Sequence, residues 1–179
     1  MHNAWKDDLS WSTKVFVGEV WPAVAPFIGG GDVWSVEAQQ DEMRRRLDMS
    51  AGIDYWQIRP DERISSIASR VQLVPAYNSF SVRRERDSGA ETEWHKRRAA
   101  VNNGVVLYPH YTIQAFVHSI HGGLASAAVA RTVDIIRFIE RCSAVTKRCD
   151  NASFWACNWE IMHDMGYDVK TWSEDNADK

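Results

Sequence analysis

The chain has 179 residues, of which 45% are hydrophobic and 25% charged, with a net charge of −3. That is enough chain for one domain with a full core. The charge balance excludes a uniformly basic protein, so any affinity for nucleic acid must come from local patches. No apolar run approaches the ~18 residues that would span a membrane. The opening "MHNAWKDDLSW" places two aspartates where a signal peptide needs an apolar stretch, so the protein is expected to be cytoplasmic. Three cysteines, Cys142, Cys149 and Cys157, are an odd count and do not suggest a disulfide framework.

Residues 13–28, "TKVFVGEVWPAVAPFI", are predicted helical, with Ser12 as N-cap and Phe16, Val20, Val24 and Phe27 at helical spacing. Pro22 and Pro26 argue against a regular helix, and "GGG" at 29–31 ends it. "DVWSVEA" at 32–38 alternates as a strand, with Val33 and Ser35 on one face and Trp34 and Val36 on the other. "QQDEMRRR" is polar and reads as a short helix or a loop. "AGIDYWQI" and "RISSIASRVQL" are the second and third strands, joined by the turn cluster "RPDE". "NSFSVRRER" is a fourth.

"SGAETEWHKRRAAV" is predicted helical, with Glu93 four residues before Arg97, and "NNG" at 102–104 stops it. "VVLYPHYTIQAFVHSI" is β-rich, with Pro109 demoting its first part. "LASAAVA" is one more strand. "TVDIIRFIERC" is an amphipathic helix with Val133, Ile136 and Ile139 in one stripe, and "SFWACNWEIMHDMGYDVKTW" reads as a last helix and a short extended piece. The expected whole is a single α/β or α+β domain with a central mixed sheet flanked by helices. Its core covers about 13–140, and a helical appendage covers about 141–172.

Three basic clusters stand out, at 44–46, 83–86 and 95–98. The last two flank a turn, so Arg83, Arg84, Arg86, Arg97 and Arg98, with Trp94 among them, form a candidate nucleic-acid patch: cations for phosphates and an aromatic for stacking. The alternative is a solvated face, since Glu85, Asp87, Glu91 and Glu93 are interspersed. The three cysteines and His163 lack the C-x-x-C spacing of a zinc knuckle and read as core or free thiols. His118 and His121 lack the spacing and the glutamate of a zinc-protease motif and read as the end of a strand.

The order helix, three strands, helix, strand over roughly residues 13–118 resembles the core of the PD-(D/E)XK, or restriction-endonuclease-like, nuclease superfamily. That resemblance implies a metal-dependent nuclease, or a diverged relative that binds nucleic acid. In that family a second-strand acid and a third-strand acid-x-lysine hold Mg²⁺ or Mn²⁺, which activates water and takes up phosphate charge. On this mapping Asp54 is the second-strand acid and Glu19 a first-helix glutamate that joins the metal. The third strand departs from the pattern: "ASR", Ala68–Arg70, stands where acid-x-lysine would, and arginine is a poor proton carrier. Glu91 or Glu93, with Lys96 a turn further on, would supply the missing acid and lysine. The implied set is therefore Asp54, Arg70, Glu93 and Lys96, with Asp54, Glu19 and Glu93 on the metal. Gln57, Gln72 and Gln114 are possible polar neighbours. Asp54 has a second reading, as the structural ion-pair partner of Arg70. The run from Leu47 to Val117 is also similar to small phage or prophage proteins, and the rival function is a non-catalytic phage-encoded protein that binds a host protein or DNA.

Overall fold

A computed structural model describes residues 11–36, 52–104, 107–141 and 144–176. The basic cluster at 44–46, the segment "QQDEMRRR" and Cys142 lie outside the described residues.

The described residues open with a helical rod, α1, over 11–28. Ser12, expected as N-cap, is already within it. The rod changes pitch along its length: a π segment Phe16–Val20, an α segment Trp21–Val24 and a 3-10 segment Ala25–Ile28. Pro22 and Pro26 open the second and third of these. A proline offers no N–H to the ladder, so the hydrogen-bond spacing shifts where one enters rather than the rod breaking. Gly29, Gly30 and Gly31 then turn the chain with φ between 66° and 94°. At Gly31 a Cβ would run into the backbone of Ile58 and Arg59, so a side chain is excluded by both conformation and space.

Among the described residues nine strands follow: β1 (Asp32–Ser35), β2 (Tyr55–Ile58), β3 (Ile64–Leu73), β4 (Ser79–Arg86), β5 (Tyr111–Ser119), β6 (Gly122–Arg131), β7 (Val145–Cys149), β8 (Ala152–Asn158) and β9 (Lys170–Ser173). Among the described residues three further α-helices are α2 (Glu93–Asn102), α3 (Thr132–Glu140) and α4 (Trp159–Asp164), and a 3-10 turn follows β9 at Glu174–Asn176. Six strands form one mixed sheet in the order β1-β2-β3-β5-β6-β9, and three form a second sheet, β4-β8-β7. The β3–β5 pair is parallel and every other pair is antiparallel. The architecture is mixed α/β in a single domain, as the sequence predicts.

Side chains of the six-stranded sheet alternate between its faces. One face carries Tyr55, Ile67, Ile113, Ala115, Val117, Ala127 and Val129 and buries them against α1, with Phe16 stacked on Tyr55 at 4.2 Å. On the other face Phe116, Ala128 and Ala130 pack against Phe80, Val82, Phe138, Trp159 and Met162. This second core lies under β4, β8, α3 and α4. It covers the β5–β6 end of the sheet, and the β1–β2–β3 end of that face projects beyond it.

Two expectations are corrected. The fourth strand, β4, leaves the central sheet and pairs with β8. The expected helical appendage over 141–172 is largely β: residues 145–149 and 152–158 are strands, α4 is one short helix, and β9 closes the edge of the central sheet beside β6. Trp155 and Cys157 face the second core and Phe154 the opposite side, but in the sequence "SFWAC" is a short apolar run that periodicity alone does not separate from a buried helix. Within α3 the buried stripe is Ile135, Ile136, Phe138 and Ile139, and Val133 sits at its margin, half-buried.

A candidate anion pocket between the two sheets

Asp54 immediately precedes β2. Its N–H donates to the Ile67 carbonyl at 2.9 Å, and its carbonyl accepts from Val36 N–H at 2.8 Å, so it continues the antiparallel pairing. With Tyr55 opposite Ile67, Asp54 stands opposite Ala68. Asp54 and Arg70 therefore lie on neighbouring chains of one sheet with side chains on the same face. Both line a cleft of about 460 Å³ between β3, β4 and α2.

Arg70 is not the ion-pair partner of Asp54. Its Nη2 lies 2.9 Å from Glu93 Oε1, and the Asp54 carboxylate instead accepts the Ser69 backbone N–H at 2.7 Å. Glu93 opens α2, which starts after Thr92; its Oε2 accepts the Arg83 backbone N–H at 3.4 Å, and Arg83 Nη1 lies 4.0 Å from Oε1. Burial pushes the Glu93 carboxyl up, but Arg70, Arg97 and Arg83 together, with that backbone donor, hold it below the usual range. Phe154, opposite Arg83 on β8, carries both guanidinium groups over its ring, Arg70 at 5.4 Å and Arg83 at 5.5 Å.

Arg97 lies one helical turn beyond Glu93, which brings it to the same side of α2. It is only 6% exposed, and its Nε has no hydrogen-bond partner. Burial lowers its pKa, Glu93 and Asp54 oppose that, and Arg70 adds to it. Arg83 is lowered in the same way: burial first, countered by Glu93, reinforced by Arg70 and Arg86. Both guanidinium groups remain protonated. Their depression records burial first, with the neighbouring cations adding to it.

Arg70, Arg83, Arg86, Lys96 and Arg97 line the cleft against Asp54, Glu91 and Glu93, five positive charges against three negative. Among the described residues Arg86 has no carboxylate partner. Polar neutral groups complete the wall. Gln114, buried, donates to Gln72 at 2.9 Å and accepts from Ser81 N–H at 3.3 Å. Ser81 and Thr112 also face the cleft. Gln114 is among the polar neighbours expected of the site, whereas Ser81 and Thr112 carry no sequence signal of their own, because only the pairing of β3 with β5 and the approach of β4 bring them there.

Several expected members lie elsewhere. Glu19 is on α1, and one carboxylate oxygen accepts the N–H groups of Gly123 and Leu124 at 2.8 and 3.1 Å, clamping the β5–β6 hairpin. It borders a separate cleft with Trp11, Lys14 and His121, so it is no ligand to an ion at Asp54. Gln57 points to the opposite face and donates to the carbonyls of Ile28 and Gly30. Arg84 stacks on Trp155 at 4.8 Å and pairs with Glu85. Arg98 pairs with Glu140 at 2.9 Å and lies over Trp94, whose ring packs edge-on against Trp155. The expected patch is thus split: Arg83, Arg86 and Arg97 enter the cleft, while Arg84, Trp94 and Arg98 form a structural stack outside it. Cys149 is exposed, and burial pushes the Cys157 thiol up, as a core cysteine requires.

A divalent ion does not fit this arrangement. No group of three or more His, Cys, Asp or Glu side chains among the described residues is placed to hold one. Glu93 is already committed to arginines, and a cation placed beside it would meet Arg70, Arg83 and Arg97. Of the expected Mg²⁺ or Mn²⁺ ligands, Asp54 and Glu93 share the cleft and Glu19 lies outside it, and the described lining of that cleft is electropositive. Among the described residues no helix is long and apolar enough to cross a membrane. No protein-family model matches the chain, and a search of curated proteins finds no match.

Proposed function

We propose that the chain binds nucleic acid, with phosphate groups of the backbone seated in the pocket between β3, β4 and α2. The observation that carries this reading is the excess of cations there, Arg70, Arg83, Arg86, Lys96 and Arg97 against three carboxylates. Arginine forks and a lysine are what phosphate oxygens need, and desolvated cations gain most from an incoming anion. The resemblance in element order to the restriction-endonuclease-like nucleases supports the same ligand. It does not bring the hydrolytic centre with it, because the carboxylates that would hold the ion do not gather among the described residues.

Arg86→Ala with Lys96→Ala tests the reading, since both line the pocket, Arg86 exposed and Lys96 half-buried, while Arg97 is buried. The double variant is expected to melt close to the wild type. In fluorescence anisotropy with a labelled oligonucleotide it should bind on the order of tenfold or more weakly, each charge-assisted contact being worth about 1.5–3 kcal/mol before solvent exposure reduces it. Equal affinity of the two proteins would remove the pocket from any role in binding.

A further inference from the structure

The sheet face that carries Asp54 and Arg70 continues past the pocket toward the β1 edge. Trp34 on β1 stands directly opposite Trp56 on β2, and Asp32 and Ile58 pair in the same way. Trp56 is two residues from Asp54, about 7 Å along an extended strand. Trp34, Trp56, Ile58 and Ile64 all lie on this face by alternation and register. They are not packed like the rest of the sheet. Trp34 is 57% exposed, Ile58 40% and Ile64 62%. Trp56 is half-buried, packed on Val36 and Ile53. The other face of the same strands is closed, with Tyr55, Gln57 and Ile67 buried.

A flat indole beside other apolar side chains is costly to leave in water, and it shares its sheet face with Asp54 and Arg70, which line the cation-rich pocket. Aromatic rings that adjoin a positively charged groove are the arrangement that holds unpaired bases. We propose that this face is a base-stacking platform and that the ligand is single-stranded nucleic acid, a base lying on Trp34 while a neighbouring phosphate enters the pocket. The inference rests on the reading of the pocket as a phosphate site and adds the strandedness of the ligand. Paired bases within a duplex keep their faces stacked on one another and offer none to Trp34. Trp94, the ring expected to stack from its place in the basic sequence, is packed against Trp155 and covered by Arg98, so it does not fill this role.

The test compares wild type, Trp34→Ala, Trp34→Phe and Arg86→Ala for binding of a labelled oligothymidylate and of a duplex of equal length, across a salt series. Trp34 is exposed, so circular dichroism is expected to show all four proteins folded. Wild type should prefer the single strand. Trp34→Ala should weaken single-strand binding by roughly 5- to 100-fold with an unchanged salt slope. Trp34→Phe should recover most of it, and Arg86→Ala should lower the slope. Single-strand affinity unchanged in Trp34→Ala, or duplex bound as tightly as the single strand, would overturn the platform while leaving the phosphate pocket standing. A dimer that becomes a monomer in Trp34→Ala, with nucleic-acid binding unchanged, would assign the face to a second copy of the chain and equally overturn it. Absence of salt-dependent binding to either ligand would overturn the pocket and the platform together.

Discussion

Glu93→Gln should melt lower than the wild type and bind nucleic acid more tightly. The two effects have opposite signs because Glu93 does two things. Among the described residues it is the one carboxylate that touches both Arg70 and Arg83, and its negative charge also faces Arg97. Removing it leaves these guanidinium groups to repel one another. A fully buried pair would cost ~3–5 kcal/mol when broken. Glu93 keeps 25% of its side-chain surface exposed, so solvent screening reduces the expected loss to about 2–3 kcal/mol. The same change removes one negative charge from the wall of an anion pocket. At ~6 Å and an effective dielectric of ~40–80 that is about 0.7–1.4 kcal/mol, or three- to tenfold in affinity. A metal-holding Glu93 would behave otherwise: its amide would lose divalent-ion binding and gain no affinity for phosphate. The pH dependence is also determined. The carboxyl is depressed in the fold, so its contribution is present above its ordinary value of 4.5 and is lost as pH falls through the lower, folded value. The melting difference between wild type and variant should therefore shrink in acid.

Phe16→Ala carries the largest expected loss of stability. The ring is fully buried, stacked on Tyr55 at 4.2 Å and tilted against Trp21 at 6.4 Å. It sits in the π segment of α1, where the widened turn sets how the rod meets the sheet. Truncating a buried phenylalanine costs ~3–5 kcal/mol, more where the surroundings cannot collapse. Tyr55 follows Asp54 directly, so a shifted β2 would also move the pocket. The variant should show an urea midpoint well below wild type, and at low temperature, while still folded, it should bind nucleic acid less well. A wild-type midpoint would mean that α1 does not seat on this face of the sheet.

Much of the frame was legible in the sequence. "DVWS", "YWQI" and "ISSIASRVQL" alternate with period two, and "RPDE" permits a tight reversal, which together fix the common face of Asp54 and Arg70. Trp34 was also assigned to the face opposite Val33, where it stands. What escaped depends on pairing across long separations. Nothing local to Glu19 shows that its carboxylate meets Gly123 and Leu124 more than a hundred positions away. Glu93 and Arg70 are 23 residues apart, and their contact follows from where α2 docks on β4. The segment 152–158 is apolar and short, and only β4 as a neighbour decides that it is a strand. In the sequence Arg97 is one member of a basic patch, and nothing in that patch shows that it alone is buried, at 6% exposed, in the wall of the pocket.

The salt dependence of binding tests the phosphate pocket most directly. Each phosphate neutralised by the protein releases condensed counterions, so log Kobs falls with log salt in proportion to the number of contacts. For a single-stranded oligonucleotide the slope is about −0.7 per contact. Wild type, with Arg83, Arg86 and Lys96 around the cleft, is expected to show a slope near −2 on that basis. Arg86→Ala with Lys96→Ala should lose about 1.4 of it while keeping the wild-type melting curve. A wild-type slope near zero, or one that the double variant leaves unchanged, would contradict the assignment of this pocket to the phosphate backbone.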